Sequence, residues 1–327
     1  MKYKRLICLF TVLCLAVTAE AQMKKVAQSK MQFLKLGIGA RAAGMGDAFI
    51  AISGDPNAIF YNPAGCAGVQ GVALALNQNN WLVDIDHKSG VLTYNTGRYG
   101  VFIADYIAVD YGTMERTIVD AHAWEGYQSQ GTFSASEYAI GLGYAIGITD
   151  RFSLGGQIKY AYQDLAASQV WQYLRTEFEN TRQVKNETDV VAYDFGTYYN
   201  SGYKNIRIGM SVQNFANKPI PLTFRFGVAM DVNQLLIPDH PQHVLTLTAD
   251  ALHPKDYSER MHFGLEYVYN NLFSLRGGYK LNYDEESYSG GVGIRTTVQS
   301  LHFEFNYAAT DFGVFGLVNR FSLNFQL

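Results

Sequence analysis

A chain of 327 residues with a formal net charge of −3 lacks the basic excess that a phosphate backbone attracts, so nucleic acid is not expected as a partner. Three cysteines and seven scattered histidines, none in an HExxH spacing, leave no disulfide framework and no cofactor or metal site to name. With 23 Tyr, 20 Phe and 31 Gly against 7 Pro, and no Ser/Gly- or Pro-rich linker, the sequence reads as one domain.

The first residues set the compartment. Lys2, Lys4 and Arg5 precede an apolar stretch from Leu6 to Val17, and Ala19 and Ala21 supply small residues where a signal peptidase reads. Residues 1–21 are therefore expected to be a signal peptide cleaved before Gln22, its apolar run too short for a spanning helix. Its removal takes away three positive charges and one negative, moving the net charge from −3 to −5. Cys8 and Cys14 leave with it, so Cys66 has no intrachain partner. No later segment approaches 18 unbroken apolar residues, and no spanning helix is expected downstream.

Residues 22–68 differ in chemistry from the remainder of the chain. Phe33 to Gly46 is rich in Gly and Ala, and Gly46 to Gly65 continues with small and apolar residues around Asp55 and Asn62-Pro63. Small residues suit backbone that passes close to other backbone, and a segment of this size fits a barrel lumen as a plug. Gly37-x-Gly39 lacks the strand–loop–helix context of a nucleotide loop.

From residue 69 onward apolar and polar residues alternate in strand-length segments. In the last of them Phe321, Leu323, Phe325 and Leu327 oppose Arg320, Ser322, Asn324 and Gln326. Period-2 alternation gives each strand one apolar and one polar face. Fourteen strands are predicted, over 69–78, 88–95, 99–110, 137–148, 152–163, 188–200, 205–214, 222–231, 243–252, 261–269, 273–281, 287–297, 300–308 and 317–325. Most are long enough to cross a hydrocarbon core when tilted, so the expected fold is an all-β antiparallel transmembrane barrel of an outer membrane, residues 69–327. An even count returns both termini to the periplasm. The longest connections, 111–136 and 164–187, then fall outside the cell and the tightest turns inside, with 232–242 a long exception.

The alternation also assigns faces. Phe224, Phe226 and Val228 are expected toward lipid, and Lys159, Arg207, Arg225, Asp250, Glu266, Arg276, Lys280 and Glu304 toward the lumen. Mutual pairing that fills a narrow barrel is one reading of these eight charges; a polar path for a solute is the other. Tyrosines near strand ends, Tyr106, Tyr138, Tyr160, Tyr198, Tyr199, Tyr267, Tyr269 and Tyr279, suit an interfacial girdle. The two long loops carry Trp124, Tyr127 and Phe133, and Trp171, Tyr173 and Phe178, aromatic residues that suit a contact surface for a partner.

The run from Gly39 to Gly65, GARAAGMGDAFIAISGDPNAIFYNPAG, resembles the N-terminal signature of the PorV/PorQ family, within the wider group resembling the FadL long-chain fatty-acid transporters. The matching positions include Gly39, Arg41, Gly44, Gly46, Asp55, Asn62, Pro63 and Gly65. The resemblance implies a barrel of about fourteen strands with the N-terminal segment folded into its lumen, in the outer membrane of a Gram-negative bacterium of the Bacteroidota. It also implies association with type IX secretion, as a translocon or surface-attachment partner that binds secretion-system proteins or secreted clients. The chain departs from fuller relatives in its compactness and in ending at Leu327 rather than an aromatic residue.

Two non-enzymatic functions suit this sequence. One is protein binding through the aromatic loops. The other is FadL-like transport of a hydrophobic small molecule, a lipid or fatty acid, along a cavity lined by Phe33, Leu34, Leu36, Phe49, Ile50, Ile52, Ile59 and Phe60. Those same residues equally suit a packed plug. An enzyme is not expected: Asp120, His122 and Ser129 share one loop, but sequence proximity does not make a triad.

Overall fold

Alternating strands that bury one face and expose the other close on themselves when no edge is left unpaired. The computed structural model describes residues 29–165, 171–173, 181–183, 187–232 and 242–327. The expected signal peptide, residues 22–28 of the expected plug, Phe178, and the side chains of Trp171 and Tyr173 lie outside the described residues, as does most of the 232–242 turn.

In chain order the strands are β1 (Val72–Asn80), β2 (Asp86–Asn95), β3 (Val101–Asp110), β4 (Met114–Val119), β5 (Tyr127–Phe133), β6 (Ser136–Gly147), β7 (Phe152–Asp164), β8 (Trp171–Tyr173) and β9 (Thr181–Gln183). They continue as β10 (Glu187–Asn200), β11 (Arg207–Phe215), β12 (Thr223–Asp231), β13 (His243–Pro254), β14 (Arg260–Tyr269), β15 (Phe273–Leu281), β16 (Tyr288–Val298), β17 (Leu301–Asp311) and β18 (Leu317–Gln326). Fourteen of them form one closed antiparallel barrel, sealed where β1 pairs with β18 through Leu76 opposite Leu323. The expected fold class is the observed one, and each predicted strand has its counterpart. The other four strands form two small hairpins, β4–β5 and β8–β9, inside the two long loops.

The largest shift at a strand start is at the first strand. Val69 is fully buried and closes a 3-10 turn (Pro63–Gly68), and Gly71 adopts φ +58°, so the ladder begins only at Val72. Turn chemistry sets the tight end of the barrel. Asn270 and Asn271 both take left-handed φ, 51° and 52°, and Leu272 N–H donates to the Tyr269 carbonyl at 2.9 Å. This is the twist-matched two-residue hairpin that Asn favours.

The outer face carries the apolar set. Phe224 is 41% exposed and Phe305 47%, while Thr223, Arg225, Glu304 and Asn306 between them are buried. Apolar residues outside and polar residues inside are the inversion of a soluble core and the pattern of a barrel in lipid. One tyrosine departs from the expected girdle. Tyr199 points outward and is exposed, so its neighbour Tyr198 faces inward, beside Arg207 and Asp231.

Inside the barrel lies the hatch, residues 29–68. It is built from short pieces: 3-10 turns Gln32–Lys35 and Pro56–Phe60, the helix Ala40–Gly44 and the 3-10 turn Pro63–Gly68. The side chain of Asp55 caps one turn through Asn57 N–H and that of Asn62 caps another through Ala64 N–H, each followed by Pro at the first position. Phe49, Ile50, Ile52 and Ile59 pack with Tyr61, Cys66 and wall residues into one buried cluster. Phe33, Leu34 and Phe60 join a second nearer the long-loop end. The apolar residues proposed to line a cavity are therefore largely spent on packing the hatch, at about 1.5–3 kcal/mol for each large side chain removed from water.

Candidate functional site

Where the hatch meets the wall, the wall gives way. Three cross-strand pairs of inward glycines, Gly264 with Gly278, Gly209 with Gly227, and Gly155 with Gly196, stand at the places where hatch backbone passes. A Cβ on Gly278 would meet Gly46 N at 2.0 Å, one on Gly209 the Ile50 carbonyl oxygen at 2.3 Å, and one on Gly155 the Ala64 N at 2.4 Å. Gly46 itself takes φ +64° with the β14 and β15 backbone 2.9 Å from its missing Cβ. Only glycine permits both the conformation and the approach.

Around these contacts the polar groups interlock. Arg41 donates through Nε and Nη2 to the two oxygens of Glu266, at 2.8 and 2.6 Å, and through Nη1 to Asp55 at 3.2 Å. Arg276 reaches the same Glu266 at 2.7 Å and Glu304 at 3.5 Å, and Glu304 also accepts from Arg295 at 2.8 Å. A second group joins Asp47 of the hatch to Lys280, which also contacts Glu286, with the Tyr61 hydroxyl donating to Asp47 at 2.6 Å. Asp250 accepts from Ile50 N–H at 3.0 Å, and Asn62 donates to the carbonyls of Ile50 and Thr197, each at 2.9 Å.

All eight charges assigned to the lumen face inward, but the structure does not bring them to one place. Glu266, Arg276 and Glu304 share a network with Arg41; Lys280 joins Asp47; Lys159 pairs with Asp194 at 2.7 Å; Arg207 pairs with Asp231. Among the described residues Arg225 makes no ion pair, and its Nε and Nη1 have no hydrogen-bond partner. Sequence reasoning named neither Asp47 nor Arg320 as a lumen charge. Asp47 lay in the Gly/Ala-rich run, and Arg320 stood on the polar face of the last strand, where the same alternation marks it.

The hatch-motif positions have separate duties. Arg41 and Asp55 pair, Asp55 and Asn62 cap turns, and Pro63 opens one. Gly44 lies against Arg276 and Gly291, Gly65 against the Ile52 carbonyl, and Gly39 (φ +88°) against Asn57.

Two cavities flank the hatch. At the short-turn end about 340 Å³ is lined by Arg41, Asp55, Arg295, Glu304 and Asn324 among others. At the long-loop mouth about 200 Å³ lies between hatch residues Lys35, Asp47 and Tyr61 and wall residues including Arg225, Lys280 and Arg320. There the hatch is anchored to the 255–259 loop: Asp256 contacts Lys35 at 2.6 Å and also accepts from Ser29 and Gln32. Burial alone would raise the Asp256 pKa, but the hydrogen bonds from Lys35, Ser29 and Gln32 win and hold it below the usual carboxylate range. Burial lowers the Lys35 pKa against the pull of that same carboxylate.

The loop aromatics are split. Trp124 projects fully from the β4–β5 hairpin with 102% relative exposure, Tyr127 is exposed and Phe133 half-buried. On that hairpin His122 Nδ1 lies 3.6 Å from Asp120 in solvent, and no group of three potential metal ligands occurs among the described residues.

Residues 9–227 match the family described as Uncharacterised protein family (UPF0164), a span that contains the whole hatch. Among curated proteins, none matches the chain. In fold it is similar to the Ralstonia pickettii toluene transporter TbuX, with TM-score 0.60, 15% identity, and coverage of 89% of this chain and 98% of that one. The Pseudomonas putida toluene transporter TodX gives TM-score 0.53 at 10% identity, covering 88% and 97%. A Pseudomonas aeruginosa FadL homologue gives 0.50 at 12%, covering 89% and 97%.

Proposed function

The chain belongs to the uncharacterised protein family UPF0164, and from that premise we propose that it is a FadL-like outer-membrane channel for small hydrophobic compounds. In this reading the short turns and both termini face the periplasm and the long loops the exterior. The observation that carries it is the wall between β7 and β10. On the inner side Gly155 and Gly196 lie against Ala64 and Asn62 of the hatch. The same two glycines, with Gly156, line an apolar groove of about 490 Å³ rimmed by Leu154, Phe195, Met210 and Phe224. Glycine backbone alone separates the hatch from an apolar recess on the lipid side. A hydrophobic solute that gained the lumen after a small hatch movement would have a short exit into the bilayer. The toluene transporters of similar fold favour the same class of solute.

Proteoliposomes loaded with the purified chain, assayed for uptake of labelled toluene and of labelled dodecanoate, test the reading. Uptake above protein-free vesicles, reduced several-fold by Gly156→Leu with the barrel still heat-modifiable on gels, is expected. Uptake equal to protein-free vesicles for both solutes sinks it.

A second reading rests on the β4–β5 hairpin. Trp124 at its exposed tip suits a protein contact, as a PorV/PorQ-type partner in type IX secretion would make. A mild-detergent pull-down should then recover a translocon barrel or secreted proteins, and deletion of residues 114–133 should lose them. Recovery of the barrel alone removes this reading.

A further inference from the structure

The cavity at the long-loop mouth is lined by more cations than carboxylates. Lys35, Arg225, Arg260, Lys280 and Arg320 line it, against Asp47 and Glu286. Lys35 is matched by Asp256, and Lys280 by Asp47 and Glu286 together. Arg260 stacks between Tyr257 and Tyr283, its guanidinium 4.4 and 4.0 Å from the ring centroids. Two guanidinium groups remain.

Arg225 is 7% exposed and its Nε and Nη1 have no hydrogen-bond partner. Arg320 is 2% exposed; Nη1 reaches the Thr310 hydroxyl, but Nε has no partner. Neither has a carboxylate within 4.0 Å among the described residues. Each instead lies over an aromatic ring, Arg225 over Tyr61 at 5.6 Å and Arg320 over Trp81 at 5.7 Å. A third unpartnered group, Nδ1 of His262, belongs to the same lining, with Nε2 at 2.8 Å from the Tyr283 hydroxyl. If Tyr283 donates to Nε2, the proton sits on Nδ1 and makes it a further donor.

A buried cation with no carboxylate in contact is costly, and a planar guanidinium fork is shaped for carboxylate or phosphate. We propose that this cavity is a binding site for an oxyanion, held between Arg225 of β12 and Arg320 of β18 at the junction of hatch and wall. The volume, about 200 Å³, admits a free anion or the head and first methylenes of an anionic amphiphile, with Leu34, Leu36, Phe60 and Phe312 supplying an apolar side. Because Arg225 also covers Tyr61, whose hydroxyl holds Asp47, the anion would sit beside the Asp47–Lys280 fastening and tighten the hatch. The site concerns binding alone, so its failure leaves the transport reading standing, and the reverse.

The test is isothermal titration of the purified full chain in a nonionic maltoside with inorganic phosphate and, separately, with octanoate. Saturable binding of either is expected, weakened at least ten-fold by Arg225→Gln and by Arg320→Gln. Phosphate binding identifies a free oxyanion, and octanoate binding without phosphate the head of an amphiphile. No binding of either to heat-modifiable wild-type barrel overturns the proposal, as does binding that survives both Gln substitutions unchanged. Should the Gln variants fail to fold, Trp81 serves as a reporter in the W124F/W171F chain. The bound anion should shift its emission, and emission unchanged at saturating phosphate and octanoate refutes the site.

Discussion

Arg41 and Glu266 meet fork to fork, Nε to Oε1 at 2.8 Å and Nη2 to Oε2 at 2.6 Å, and this pair joins the hatch to strand β14. Glu266 is buried and accepts from Arg276 as well, so the pair is one member of a network and not an isolated bridge. Its geometry is of the bidentate kind that fixes orientation as well as charge.

Replacing Arg41 by Met should therefore loosen the hatch without opening the barrel. Loss of one partner of a buried pair costs about 3–5 kcal/mol, and Asp55 loses a partner as well. The expected signature is a lower melting temperature and faster protease cleavage within 29–68, with the folded gel band retained. A melting temperature equal to wild type would mean that the hatch is held by its packing alone.

Adjacent glycines on β15 should behave oppositely. Gly278 faces inward with Gly46 N at 2.0 Å from a built Cβ, while Gly277 faces outward with nothing within 4 Å. Gly278→Ala must displace backbone and should destabilise by at least the ~1–3 kcal/mol of ordinary overpacking. Gly277→Ala should be within about 0.5 kcal/mol of wild type. Urea unfolding from detergent compares them, and equal losses would contradict the face assignment.

Phe224→Arg and Phe305→Arg place a charge on the lipid face, where it costs roughly 2–4 kcal/mol at mid-depth. Both side chains are exposed on the outer wall. Reduced assembly into membranes is expected for each, read as the ratio of folded to unfolded gel bands. Normal yields would place these strands in the wrong register.

The mouth anchor should be sensitive to acid. The folded Asp256 pKa is held below its ordinary value, so its contribution is full above the unfolded carboxylate pKa, about 3.9, and is lost as pH falls through the lower folded value. The protection of residues 29–35 against hydrogen exchange, corrected for the intrinsic pH dependence of amide exchange, should fall in that window and stay unchanged between pH 5 and 8. Asp256→Asn should show the reduced protection at every pH; protection indistinguishable from wild type at neutral pH would remove Asp256 as the anchor.

Much of the fold was legible in the residues themselves. Side-chain alternation has a period of two whatever the tertiary structure, so Phe321, Leu323 and Phe325 declare an apolar face and Arg320, Ser322 and Asn324 a polar one before any contact is known. Asn270-Asn271 likewise announces its turn because Asn tolerates left-handed backbone. The loop hairpin β4–β5 was not legible, since β4 alternates only between half-buried and exposed residues and β5 is exposed nearly throughout, so neither carries a fully buried face.

The sequence by itself thus determined the number of barrel strands, the apolar and polar face of each and the small-residue character of the segment that precedes them. Only the tertiary structure decided the partners: that Glu266 receives Arg41, that Lys280 receives Asp47, and that Arg225 and Arg320 receive no carboxylate among the described residues. Periodicity acts within a strand and is written locally. Pairing across a lumen depends on the register of strands far apart in the chain and on the path of the hatch between them.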